Sequence, residues 1–193
     1  ELFNHCISLN QYHEGSFTDL KHLISNSGDV INLTRDYTFS VMSDYMLMEG
    51  IYINKDLTIN GNNHVIDGDG WARIFNIDGH KVVLNNITFA NGNADNGGAI
   101  QTSSQTSLSI DSCRFENNSA KNGGAIYLKS YEKVNIESSV FKNNTASGNF
   151  SGGAIYTNGI LNVTNTEFIN NTVTNVNSQG GAIRTYDNIT YIT

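Results

Sequence analysis

The tetrapeptide Gly-Gly-Ala-Ile occurs four times in this chain, beginning at Gly97, Gly123, Gly152 and Gly180, with spacings of 26, 29 and 28 residues. A recurrence of this period means a stack of similar supersecondary units, each too small to bury its own apolar face. A second mark, Phe-x-Asn-Asn-Ser/Thr, follows the same period at Phe115, Phe141 and Phe168, with a degenerate copy at Phe89. A third is an apolar-x-apolar pair ahead of that Phe: Val82 and Leu84, Leu108 and Ile110, Val134 and Ile136, Leu161 and Val163. Extending the period places Leu57 with Ile59 and Ile31 with Leu33 upstream, and Ile189 with Tyr191 downstream, giving seven units.

Within a unit the apolar residues alternate with polar ones, which is the period of a strand and not of a helix. Ile100, Ile126, Ile155 and Ile183 are expected to point inward, and Gln101, Tyr127, Tyr156 and Arg184 outward. Three short strands per unit, separated by Gly and Asn turns, wrap the chain into one coil of a parallel β-helix. A leucine-rich repeat lacks its Leu-x-x-Leu-x-Leu pattern here, and propeller blades of about 40 residues are too long. Phe89, Phe115, Phe141 and Phe168 should stack inside the coil, sharing parity with Ile87, Cys113, Ser139 and Thr166. Asn117, Asn143 and Asn170 recur at one turn and are expected to form an internal asparagine ladder. Competing uses for so many Asn are a solubilising surface and glycan acceptors.

The start of the chain reads differently. Phe17, Leu20, Leu23 and Ile24 share one helical face, with Ser16 as N-cap and Asp19 in the first turn. Residues 1–29 are therefore expected to be an N-terminal cap over the open end of a 30–193 solenoid of about seven coils. Tyr37, Phe39, Val41, Tyr45 and Met48 should enlarge the first coil and complete the cap. The far end enters another unit and stops inside it, so the natural protein is expected to continue.

Composition narrows the function. The 193 residues carry 11 basic and 18 acidic side chains, a net charge of -7, which argues against nucleic acid or an anionic membrane as the main partner. Asn, at 29 positions, and Gly, at 18, take the place of charge, and Pro is absent. No stretch approaches the roughly 18 apolar residues of a membrane span. Cys6 and Cys113 are too far apart in sequence for a metal site and too few for a disulfide scaffold. Cys113 reads as a small buried filler.

These marks resemble the adhesin-like surface proteins of methanogenic archaea, which carry right-handed parallel β-helix repeats. Ser16-Phe17-Thr18-Asp19-Leu20 with Val30 to Tyr37 is similar to their first coil, and Leu57 to Gly68 to their second. The Gly-Gly-Ala-Ile and Phe-x-Asn-Asn units are also similar to those of chlamydial polymorphic membrane proteins. The fold expected is all-β, a right-handed parallel β-helix (solenoid) with an N-terminal amphipathic capping helix. The resemblance implies an extracellular, cell-surface protein, anchored to the envelope by downstream domains, that binds a surface glycan or protein of another cell. It supplies no catalytic residues.

Three functions fit this scaffold: an adhesin, a polysaccharide lyase or glycoside hydrolase, and a passive envelope stalk. A glycosidase needs two carboxylates roughly 5 to 9.5 Å apart. Asp67, Asp69 and Asp78 are the densest acidic group, but Asp67-Gly68-Asp69 also reads as an ordinary turn, and calcium is a further use for it. Lys55, His64, Arg73, His80 and Lys81 lie nearby without recurring at a fixed point of the coil. His64 is expected to replace the inward Phe. A calcium-binding Gly-Gly-x-Gly-x-Asp repeat is absent. No residue is assigned to catalysis, cofactor or metal. Sequons start at Asn32, Asn86, Asn117, Asn143, Asn149, Asn162, Asn170 and Asn188. The ladder requires Asn117, Asn143 and Asn170 to stay bare, and makes outward Asn162 the better acceptor. Outward Tyr127, Tyr156 and Tyr186 suit adhesion, because Tyr gives contact area at little entropy cost.

Overall fold

The computed structural model of the chain describes residues 14–103, 105–129, 133–149, 151–175, 180–186 and 190–193. Every strand pair among them is parallel, and each strand bonds to its counterpart in the coils before and after. The first sheet has seven strands, from Val30–Asn32 through Leu57–Asn60 and Lys81–Asn85 to Thr190–Ile192. The second has six, from Tyr37–Thr38 to Glu167–Ile169, and the third six, from Ile51–Ile53 to Ile183–Thr185. The fold is an all-β parallel solenoid.

A fourth sheet was not expected. Asn93–Asn96, Ser119–Asn122, Thr145–Ala146 and Thr172–Val173 stack between the second and third sheets, so later coils carry four strands and not three. Gly-Gly explains how a strand fits there. The second glycine of the first three pairs runs against the next coil: a Cβ on Gly124 would lie 2.2 Å from the Gly153 carbonyl oxygen and 2.6 Å from that of Thr145. The first glycine at Gly97 and Gly123 takes φ of 57° and 59°, which turns the chain into the third sheet.

Inward parity holds. Phe75, Ile100, Ile126, Ile155 and Ile183 align in register in the third sheet, preceded by Ile51. Phe89, Phe115, Phe141 and Phe168 stack with centroids 4.8, 4.6 and 5.0 Å apart. Cys113 is fully buried, and its backbone N–H donates to the Ser139 hydroxyl.

The ladder exists one residue further on. Asn118 and Asn144 are fully buried, and with Asn171 they bond coil to coil at 3.0 and 2.9 Å. Each amide nitrogen also donates to a Phe carbonyl of the preceding coil, Asn118 to Phe89 at 3.0 Å and Asn144 to Phe115 at 2.9 Å. Asn117, Asn143 and Asn170 instead hold φ of 57°, 57° and 52° and are exposed. A left-handed residue reverses the side-chain direction, so the first Asn faces out and the second turns in. These three are therefore not the internal ladder, and burial does not keep their sequons bare.

Register also differs at both ends. Ile31 aligns with Ile59 and not with Leu57. Thr190 aligns with Leu161 and Ile192 with Val163, which puts Tyr191 on the outward parity; Ile189 lies outside the described residues.

The capping helix α1, Phe17–Asn26, starts as expected. The Ser16 hydroxyl accepts the Asp19 N–H while the Asp19 carboxylate accepts that of Ser16. Phe17, Leu20 and Ile24 are buried, and Leu23 packs on the core less completely. Buried Asp44 adds a second cap, accepting the N–H groups of Phe17 and Thr18 and the Thr18 hydroxyl. Tyr37 and Phe39 are buried, but Val41 and Tyr45 are exposed on a short helix, Val41–Asp44, and the turn after it. Among the described residues no helix is long and apolar enough to cross a membrane.

Candidate functional site

The acidic group does not converge. Asp67 ends a strand of the second sheet, while Asp78 follows Phe75–Ile77 in the third. The Asp67 carboxylate accepts the Asp69 N–H at 2.8 Å and the Asn91 amide at 3.0 Å through both oxygens. Asp69 sits at φ 53°, exposed. These are the bonds of a side chain that shapes its own turn. Asp78 accepts hydroxyl bonds from Ser103 and Tyr52, which hold its carboxyl below the ordinary range and push the Tyr52 phenol up. Among the described residues no three His, Cys, Asp or Glu side chains gather as metal ligands would.

The basic residues are dispersed too. Lys55 donates to the carbonyls of Ser27 and Gly28 at the end of α1. His64 does not take the place of the Phe: Ile66 aligns with Phe89, and His64 bonds Asp36 at 2.9 Å. The inward position falls two residues later than a constant period places it. His80 and Asp56 repeat that arrangement at 3.3 Å. In both, the carboxylate also accepts a strand-opening N–H, from Val65 or Lys81, and the two carboxyls are held low chiefly by those backbone bonds. Arg73 is buried, donating to the carbonyls of Glu49, Asn96 and Gly97, and its burial pulls the guanidinium down. Burial likewise pushes the Cys113 thiol up to about 12, far from a reactive thiolate.

Convergence occurs on the outer face of the third sheet. Tyr127 and Tyr156 are in register on adjacent strands, and their rings stack at 5.2 Å and 4°. Arg184 takes the next outward position of the same column. With Tyr186, Asn122 and Asn149 they line a concavity of about 470 Å³. That size is within the usual range for ligand pockets. Burial raises the Tyr127 phenol, so it stays a neutral hydrogen-bond donor through the physiological range. The stack covers one face of each ring.

A second concavity, about 450 Å³, lies on the outer face of the fourth sheet between Trp71 and Lys121. The repeat pattern does not predict it. Its one available signal was the only tryptophan of the chain, placed directly after the Asp67-Gly68-Asp69-Gly70 turn.

Of the sequons, Asn32, Asn117, Asn143, Asn149 and Asn170 are exposed, Asn86 and Asn162 half-buried, and Asn188 lies outside the described residues. Asn162 faces out as expected and bonds Asn135 at 3.0 Å.

The profile of the Chlamydia polymorphic membrane protein repeat matches residues 112–129 and 138–158. These segments contain the Phe115 and Phe141 turns and the second and third Gly-Gly-Ala-Ile copies. No curated protein and no solved structure matches the chain. The solenoid is related to repeats of the polymorphic membrane protein type.

Proposed function

We propose that this chain is an adhesin or adhesin-like binding module, a β-solenoid rod that holds a surface glycan or protein of another cell on the outer face of its third sheet. The observation that carries this reading is the in-register Tyr127 and Tyr156 pair with Arg184 beside it, an ordered polar-aromatic surface on a rigid sheet. Aromatic and Arg side chains dominate binding energy at protein surfaces. The relation to repeats of the polymorphic membrane proteins and the resemblance to archaeal adhesin-like proteins support an extracellular location and attachment to the envelope through further segments of the protein.

The test is an array of cell-surface glycans and extracellular-matrix proteins probed with the chain and with the Tyr127→Ala/Tyr156→Ala double variant. The proposal expects one or more saturable ligands and a loss of about tenfold or more in affinity for the variant. Retention of every ligand by the variant contradicts it, and absence of any ligand moves the reading to a passive stalk.

A further inference from the structure

The fourth-sheet concavity has three walls that are each fixed by buried or paired groups. Trp71 forms one end, 58% exposed despite being the largest side-chain type in the chain. Its turn is held from below: Asp67 bonds the Asp69 N–H and Asn91, the Trp71 N–H donates to the Gly68 carbonyl at 3.0 Å, and the Asn93 amide donates to the Gly70 carbonyl at 2.9 Å. Gly68 is obligatory there, since a Cβ would lie 2.4 Å from the Ala72 oxygen. Glu49 also lines it, its backbone carbonyl bonded at 2.7 Å and its carboxylate at 3.3 Å by buried Arg73. Along the floor, Asn93 and Ser119 are in register on adjacent strands, and the Asp95 and Lys121 side chains pair across the same two coils at 2.8 Å.

The chemistry of these walls selects a ligand. One large aromatic surface beside hydroxyl, amide, carboxylate and ammonium groups suits a molecule with an apolar ring face and many hydroxyls around it. Glu49 and Asp95 outnumber Lys121, which disfavours an anionic ligand. The inner floor strand, Ser119–Asn122, is bonded on both sides, and the outer one, Asn93–Asn96, ends the fourth sheet with its first N–H already taken by the Ala72 carbonyl at 3.0 Å, which shortens the edge a peptide could extend. Outward polar groups repeat at the coil rise of about 4.8 Å along the solenoid axis, which favours an extended oligomer.

We propose that this groove is a subsite for a neutral oligosaccharide, with Trp71 as its ring platform and Asn93, Asp95 and Lys121 as its hydroxyl partners. The site rests on the reading of the chain as a binding module but not on the tyrosine face. Asp67 is a positioning residue for Trp71, which gives the Asp67-Gly68-Asp69 turn a role other than acid-base chemistry.

Trp71 is the sole tryptophan of the 193-residue chain, so its fluorescence reports on this groove alone. The experiment titrates the full chain with hexamers of β-linked glucose, N-acetylglucosamine and mannose, and with a hexauronate, following Trp emission. The proposal expects a saturable change with at least one neutral hexamer and none with the hexauronate. Lys121→Ala and Asn93→Ala, which retain the fluorophore, should each weaken that titration about three- to tenfold. Acrylamide quenching, run in parallel, should fall when the neutral hexamer is bound. The Tyr127→Ala/Tyr156→Ala variant should leave the Trp71 titration unchanged. No saturable change with any neutral hexamer, or a response to the hexauronate alone, overturns the groove while leaving the tyrosine face to its own test. A Trp71 response abolished by the tyrosine replacements also overturns it, because the two sites would then be one.

Discussion

The Asn118 side-chain amide donates to the Asn144 Oδ1 at 3.0 Å, and the same oxygen accepts the Asn118 backbone N–H at 3.0 Å. The Asn144 amide nitrogen in turn serves the Phe115 carbonyl and Asn171. One buried side chain thus satisfies four polar groups in the two coils that flank its own. Asn144→Ala should cost about 3 kcal/mol, because buried donors and acceptors lose their partners with no water to replace them. Asn143→Gly, one residue earlier at an exposed left-handed position, should change stability by under about 0.5 kcal/mol. Urea denaturation midpoints of the two variants decide the matter, and equal losses would contradict the placement of the ladder.

That off-by-one placement shows what the residues could disclose. Alternation fixed the inward columns of Ile100 and Phe115 because a strand has a strict period of two. In Asn117-Asn118 the two residues are identical, so composition cannot tell which turns left-handed and which faces the core. A constant period places Ile31 opposite Leu57, two residues short of its partner Ile59, because the first coil carries an insertion, the Val41–Asp44 helix. The fourth sheet has no mark in the sequence because its strands are two to four residues, mainly Asn, Ala, Ser and Thr with Asp95, Lys121 and Val173 among them, without an apolar alternation. Tyr127 and Tyr156 were legible as an outward pair. Trp71 was not, because its meaning depends on neighbours supplied by Glu49, Asn93 and Lys121 from other coils.

The glycine pair makes a sharper demand than a turn alone. Gly124→Ala should cost about 3 kcal/mol, since its Cβ would lie 2.2 Å from a backbone oxygen that the next coil cannot move. Gly28→Ala, where nothing stands within 4 Å, should be neutral within about 0.5 kcal/mol or slightly stabilising. Thermal unfolding of the two variants side by side is the check.

Acid should destabilise the chain in a defined window. Asp36, Asp56 and Asp78 titrate below the ordinary carboxylate value of 3.8 in the folded protein. Between the folded and unfolded values the unfolded chain binds more protons, so stability falls as pH falls. The contribution is complete above about pH 5 and is lost as pH drops through 3.8 and then through the lower folded values. Asp36→Asn should flatten the stability profile below pH 4 relative to the parent while retaining a bond from the Val65 N–H. Urea midpoints between pH 7 and pH 2.5 measure this, and an unchanged acid slope would contradict it.

Binding without turnover is measured most directly by incubating the chain with a panel of surface glycans and acidic polysaccharides, with and without calcium, and determining by mass spectrometry both the retained fraction and its chain-length distribution. The result expected is a retained ligand of unaltered length whose retention falls about tenfold in the Tyr127→Ala/Tyr156→Ala variant. The contradicting result is release of new reducing or unsaturated ends that disappears when Asp67 and Asp69 are replaced by Asn, which would make the Asp67 turn a catalytic centre.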